Sequence, residues 1–119
     1  MKIPIPENLN PIDAIRFCGY GLVLDHRASE QSFSRRLGTG IYPRFHAYLN
    51  GRLINLHLDQ KQASYEGYSA HSGEYDGETV EREGERIKIM LAKLVAERLI
   101  EQSAEESAEK KGFWGRLWQ

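Results

Sequence analysis

Two short segments on either side of Asn50-Gly51 carry most of the side chains that could do chemistry. Asn-Gly is a strong signal for a two-residue hairpin turn, and side chains alternate between the two faces of the strands that flank such a turn. One face of the predicted hairpin then gathers imidazole, carboxylate, guanidinium, phenol and amide groups: Arg44, His46, Tyr48, Asn55, His57 and Asp59.

The predicted turn also fixes which residues of the two strands lie opposite one another. A type I′ turn pairs Leu49 with Arg52 and, further along the strands, Arg44 with His57. His46 would then lie on a diagonal from His57, about 7–8 Å away at Cα, within reach of long side chains. The opposite face is apolar and is predicted to be the core face: Phe45, Ala47, Leu49, Ile54, Leu56 and Leu58.

The polar face could recognise an anion, and this is the function that we expect. Arg44, together with Arg35 or Arg36 and Lys61, would supply positive charge, and tyrosines would supply stacking surfaces. The ligand would be nucleic acid or a phosphate-bearing molecule, bound without a cofactor by the hairpin and the following loop. The predicted ligand-binding residues are Arg44, His46, Tyr48, Asn55, His57, Asp59 and His71.

An ordinary solvated sheet face, which antiparallel sheets commonly have, is one alternative interpretation of the same residues, and a metal site is another. His57 and Asp59 point the same way along one strand, and His46 lies across the hairpin. His71, or Glu74, could complete the site from the loop, giving a donor set that suits zinc or another divalent ion. The chain would then be a metal-binding protein or a metal-dependent enzyme. Catalysis is not the favoured expectation, because no nucleophile elbow, phosphate-binding glycine loop or dinucleotide motif occurs.

The segments that position these residues predict a single α+β domain with the order α-β-β-β-α. Asn10-Pro11 is typical of a helix start, and Gly19-Tyr20-Gly21 of a helix end. From Gln31 the hydrophobic period changes to two, which indicates a three-stranded antiparallel sheet. A long C-terminal helix with a broad apolar face is expected to cover one side of it. The predicted boundaries are a domain over 1–100, with a hairpin at 41–59, a loop at 60–77 and a helix at 78–109, and a charged helix extension with an aromatic basic tail over 101–119.

The composition is that of a small folded protein. The chain has 119 residues, enough for one domain, and its 16 basic and 17 acidic side chains nearly cancel. The one cysteine, Cys18, excludes an internal disulfide and a cysteine-based zinc cluster. No apolar run reaches the roughly 18 residues of a membrane span, and the first residues do not form a signal-peptide pattern. A cytoplasmic location is therefore expected.

The tail over 110–119 combines basic and aromatic side chains. This pattern predicts an amphipathic anchor, which docks either in the groove of a protein partner or on an anionic membrane surface. In the second case the protein would be peripheral to a membrane. The docking residues would be Phe113, Trp114, Leu117 and Trp118.

Three motifs carry a resemblance to known proteins. The runs RRLGTGIYPRFHAYL at 35–49, NLHLDQK at 55–61 and AHSGEYDG at 70–77 resemble those of small bacterial proteins with no known activity, so this resemblance implies none. The predicted element order is similar to the double-stranded-RNA-binding-like fold, which includes HicA-type mRNA interferases. Those enzymes use a histidine in a Gly-Ser-His motif, and the corresponding stretch at 29–33 has no histidine. Ribonuclease activity is therefore not carried over.

Overall fold

The computed structural model describes residues 1–24, 31–60 and 77–117 and the backbone of residues 73–74. The α+β class is confirmed, but the order of the described elements is β-α-β-β-β-β-β-α and differs from the predicted α-β-β-β-α. The elements are β1 (Lys2–Pro4), α1 (Pro11–Phe17), β2 (Gly21–Val23), β3 (Gln31–Arg36), β4 (Arg44–Asn50), β5 (Leu53–Asp59), β6 (Gly73–Glu74) and α2 (Glu78–Leu117).

The strands form one antiparallel sheet in the order β1-β5-β4-β3-β2, and β6 also pairs with β5. One edge of β5 is occupied by β4, so β1 and β6 share the other edge, beside residues 53–55 and 58–59 respectively. The prediction of three strands was wrong. The lead-in that contains Pro4 forms an edge strand, a position that tolerates proline because no neighbour needs its missing N–H.

The core lies between one face of the sheet and the two helices. The predicted apolar face of the hairpin is confirmed: five of its six side chains are buried, and Leu49 packs against them. Ile3 of β1 and Ile87 of α2 are fully buried in the same cluster. Burying an aliphatic side chain of this size contributes roughly 1.5–3 kcal/mol, so this face fixes which side of the hairpin faces α2.

Short-range signals place the first helix as the sequence predicts. The side chain of Asn10 accepts hydrogen bonds from the backbone N–H groups of Ile12 and Asp13, at 2.9 and 3.1 Å. Pro11 occupies the first turn, where no N–H is needed. Gly19 follows the helix with a φ of +93°, a conformation that L side chains rarely adopt.

A buried carboxylate joins α2 to the other elements. The side chain of Glu83 is 2% exposed and accepts hydrogen bonds from the Tyr20 hydroxyl at 3.2 Å and from Arg35 at 3.0 Å. Arg86 also pairs with Glu83, and its Nη2 donates to the carbonyl of Cys18 at 2.6 Å. Burial raises the pKa of the Tyr20 hydroxyl, and the adjacent Glu83 raises it further. Three donors therefore compensate the buried negative charge.

The helix α2 begins at Glu78 as predicted and continues to Leu117, beyond the predicted end at 109. Gly84 lies against the Met1 side chain near Ile3, which is the close approach that a glycine inside a helix permits. From Ala96 to Leu117 every residue is exposed, and the molecule measures 77 Å along its longest axis. The helix extension therefore projects from the domain. No helix in the described part of the chain is long and apolar enough to cross a membrane.

Candidate functional site

The hairpin that carries the site has a register two residues away from the predicted one. Asn50 pairs with Leu53, so the turn residues are Gly51 and Arg52 and not Asn50 and Gly51. Gly51 has a φ of +59°, and neither Asn50 nor Arg52 has a positive φ, which excludes a type I′ turn. A shift of two residues keeps every side chain on its predicted face, because the side-chain period of a strand is two.

The corrected register changes the neighbours on the polar face. Arg44 lies opposite Asp59 and not opposite His57, and His46 lies opposite His57 and not on a diagonal from it. The two histidines therefore form a direct cross-strand pair, with ring centroids 4.9 Å apart. Asn55 lies opposite Tyr48. The six hairpin residues predicted for the site do share one face.

Three of these residues converge on one point. Nδ1 of His46 lies 3.1 Å from Oδ2 of Asp59, and Nε2 of His57 lies 3.0 Å from Oδ1 of the same carboxylate. One nitrogen from each histidine and one carboxylate oxygen all lie within 4.8 Å of one another. The cluster thus offers two imidazole nitrogens and one carboxylate to a common centre.

The rings of the cluster are held in place by stacking. Tyr48 stacks on His46 with centroids 4.5 Å apart and on His57 with centroids 5.3 Å apart. His46 and His57 are 8% and 5% exposed, although their face of the sheet is the one opposite to α2. The part of this face around the two imidazoles is therefore shielded from solvent, and buried imidazoles need polar partners.

The carboxylate is the electrostatic centre of the cluster. Burial alone would raise the pKa of Asp59, but the hydrogen bonds with His46 and His57 outweigh it and hold that pKa well below its usual range. Nε of Arg44 lies 3.5 Å from Oδ2, so a cation also flanks the carboxylate. Asp59 is therefore ionised at neutral pH, as a metal ligand must be.

The described residues leave part of the cluster unsatisfied. Nε2 of His46 is buried and has no hydrogen-bond partner in the part of the chain that the structure describes. Buried polar atoms are nearly always paired with protein, water or an ion. Because Nδ1 of the same ring faces Asp59, Nε2 points away from the carboxylate and is open to a partner outside the cluster.

Other predicted residues fall outside this cluster. Arg35 lies on the core side of the sheet, where it pairs with Glu83, and Arg36 lies opposite Arg44. His71 and Lys61 lie outside the described residues, and of Glu74 the structure describes only the backbone.

The predicted docking residues lie at the far end of α2. Phe113, Trp114 and Leu117 are exposed on its last turns, with the rings of Phe113 and Trp114 edge to face at 5.7 Å. Trp118 lies outside the described residues. The exposed tail lies on the helix extension and not on the domain that carries the His-His-Asp cluster.

Sequence reasoning missed the role of Glu83 and of its partners Tyr20 and Arg86. A signal was available: Glu83 falls between Val80 and Ile87 on the face of α2 that packs on the core. A charged residue at a core position requires a buried partner.

The chain was also compared with known proteins. No protein-family model, no curated protein and no solved structure matches it.

Proposed function

We propose that the protein binds a divalent transition-metal ion, with Zn²⁺ as the representative ion, through His46, His57 and Asp59. The observation that carries this proposal is the convergence of two imidazole nitrogens, at 3.1 and 3.0 Å, on the two oxygens of one ionised carboxylate. All three groups come from one rigid hairpin, so the donor set is already assembled by the fold.

The distances suit a metal centre. Zinc bonds of about 2.0–2.1 Å in a tetrahedral arrangement separate neighbouring ligand atoms by about 3.3 Å. The nitrogen-oxygen distances to Asp59, 3.1 and 3.0 Å, differ from this value by a few tenths of an ångström. The two nitrogens face different oxygens of Asp59 and the donor atoms lie within 4.8 Å of one another, so an ion would enter by replacing both imidazole–carboxylate hydrogen bonds, with rotation of the side chains.

The donor chemistry favours one class of ion. Two imidazoles and one carboxylate suit Zn²⁺ and other first-row transition metals such as Fe²⁺, whereas Mg²⁺ and Ca²⁺ prefer oxygen ligands. Three protein ligands leave at least one coordination position for water, for another ligand or for a side chain such as His71. The chain re-enters the sheet at Gly73, opposite Asp59, two residues after His71 in the sequence.

Anion recognition by the hairpin alone has less support. Arg35 is engaged with Glu83 on the other face of the sheet, and Arg44 flanks Asp59. The one fixed negative charge among the six hairpin residues, that of Asp59, contacts Arg44 and both histidines. Metal binding accounts for that charge, and an anion bound directly on the cluster would be repelled by it.

Binding is tested by calorimetric titration of the untagged, chelator-treated chain with Zn²⁺. We expect one ion per chain, loss of binding in Asp59→Asn and His57→Gln, and unchanged binding in the control Asn55→Ala on the same face of β5. Circular dichroism of each variant checks that it folds. Equal Zn²⁺ affinity for the wild type and for Asp59→Asn would contradict the proposal.

A second variant separates the metal from the anion interpretation. Arg44→Gln removes a positive charge beside the carboxylate, so we expect it to bind Zn²⁺ more tightly than the wild type. If the cluster bound an anion directly, the same variant would only lose affinity for that anion and would not gain affinity for Zn²⁺.

A further inference from the structure

Two arginines face each other across β3 and β4 beside the His-His-Asp cluster. Arg36 and Arg44 are Cα partners in the antiparallel register, so their side chains leave the same face of the sheet. Like charges directly opposite one another are destabilising in a sheet. Arg44 has Asp59 as a counter-ion, whereas Arg36 is exposed and forms no ion pair with the described part of the chain. An anion between the two guanidinium groups would relieve this repulsion.

Arg44 lies close to the position that a metal would occupy. Its Nε is 3.5 Å from Oδ2 of Asp59 and is buried without a hydrogen-bond partner in the described residues. A metal bound to that oxygen at about 2.0 Å would lie at most about 5.5 Å from this nitrogen. A tetrahedral oxyanion that coordinates the metal through one oxygen could therefore offer a second oxygen to Arg44.

The charges favour the same ligand. A divalent ion on Asp59 and two neutral histidines would leave a site of net charge +1, and Arg36 and Arg44 would raise it to +3. The planar guanidinium of arginine matches the oxygens of phosphate, and a metal with an open coordination position takes an oxygen as ligand. A dianionic phosphate group is attracted to all three positive centres, the metal, Arg36 and Arg44. A singly charged phosphodiester would be attracted less strongly.

We propose that the metal-loaded site binds the terminal phosphate group of a small molecule, with one oxygen on the metal and the others on Arg44 and Arg36. This inference rests on the proposed function, because without the metal the carboxylate of Asp59 would repel the phosphate. Metal binding itself requires neither arginine.

The experiment titrates phenyl phosphate into the chain loaded with Co²⁺, whose visible spectrum reports a change of ligand. We expect saturable binding to the loaded chain and none to the metal-free chain. Arg44→Gln and Arg36→Gln should each weaken phosphate binding at least tenfold while both variants keep their Co²⁺. The matched control is Arg16→Gln, an exposed arginine on α1, which should bind phenyl phosphate like the wild type.

The outcomes separate this inference from the proposed function. If the chain takes up no metal, the proposed function fails and the phosphate site fails with it. If it takes up metal but phenyl phosphate causes no spectral change, only the phosphate inference is overturned. Binding of a single-stranded RNA without terminal phosphate as tightly as phenyl phosphate would also overturn it, because a phosphodiester would then suffice. Equal affinity in the wild type and both arginine variants would contradict the assigned roles of Arg36 and Arg44.

Discussion

Removing the buried carboxylate of Glu83 is predicted to destabilise the domain far more than removing an exposed one from the same helix. In Glu83→Ala, the Tyr20 hydroxyl, Arg35 and Arg86 lose their shared acceptor. Truncating one partner of a buried ion pair costs about 3–5 kcal/mol. The side chains of Arg35 and Arg86 are 37% and 32% exposed and can regain water, which places the cost near the lower end, about 3 kcal/mol.

The matched control is Glu85→Ala, two residues further along α2. The side chain of Glu85 is 65% exposed and pairs with Lys88 at 3.2 Å, an arrangement worth less than about 0.5 kcal/mol. Both substitutions place alanine in the same helix, so the gain in helix propensity cancels between them.

The assay is urea unfolding at neutral pH, followed by circular dichroism at one protein concentration, with thermal melts in parallel. A loss of about 3 kcal/mol corresponds to a fall in Tm of roughly 10–15 °C for a domain of this size. Glu83→Ala and Glu85→Ala with stabilities within about 0.5 kcal/mol of each other would refute the assignment of Glu83 as a buried, compensated charge.

Three further predictions concern the thiol, the turn and the tail. Burial raises the pKa of Cys18 to about 11, so its reaction with a disulfide reagent at pH 8 should be slow in the native chain and fast in urea. The thiol of the unfolded chain ionises near pH 9 and so loses its proton at a lower pH than the folded one. The unfolding free energy measured in urea should therefore fall as the pH rises from about 9 towards 11. Gly51 has a φ of +59° and open space where a Cβ would lie. Gly51→Ala should therefore lower the unfolding free energy by about 1–2 kcal/mol through backbone strain, and Gly51→Asn should lower it by less. Equal stability of the wild type and both variants would contradict this prediction. If the tail docks on anionic membranes, the doubly substituted chain Phe113→Ser, Trp114→Ser should co-sediment with phosphatidylserine vesicles less than the wild type, and equal co-sedimentation would exclude that role.

The composition of the candidate site could be predicted from the sequence, but its geometry could not. Side chains alternate between the two faces along each strand, so a register shift of two residues leaves every side chain on the same face. The residues of the polar face were therefore predicted correctly. The pairing of His46 with His57 depends on which two residues form the turn. Asn50-Gly51 is a strong turn signal, but Gly51 can also be the first turn residue with Arg52 as the second, and this is the turn that forms. Only the register determines that the two imidazoles meet at Asp59.

The strands that were not predicted form by pairing with a neighbouring strand, and their own sequences carry no recognisable alternation of apolar and polar residues. β1, β2 and β6 are three, three and two residues long; β1 and β6 pair with β5, and β2 pairs with β3. A segment this short carries too few alternating positions to be distinguished from a loop. Glu83 was missed for a different reason: its spacing from Val80 and Ile87 indicates a core position, but the many charged residues around it in α2 are typical of a solvated helix.

The central claim is tested most directly by the metal content of the protein itself. The full chain would be purified without a histidine tag and without added metal, incubated with Zn²⁺, desalted and subjected to elemental analysis beside Asp59→Asn. The metal-site account predicts close to one zinc ion per wild-type chain and a large loss in the variant. A wild-type chain that retains no zinc after this treatment would contradict it.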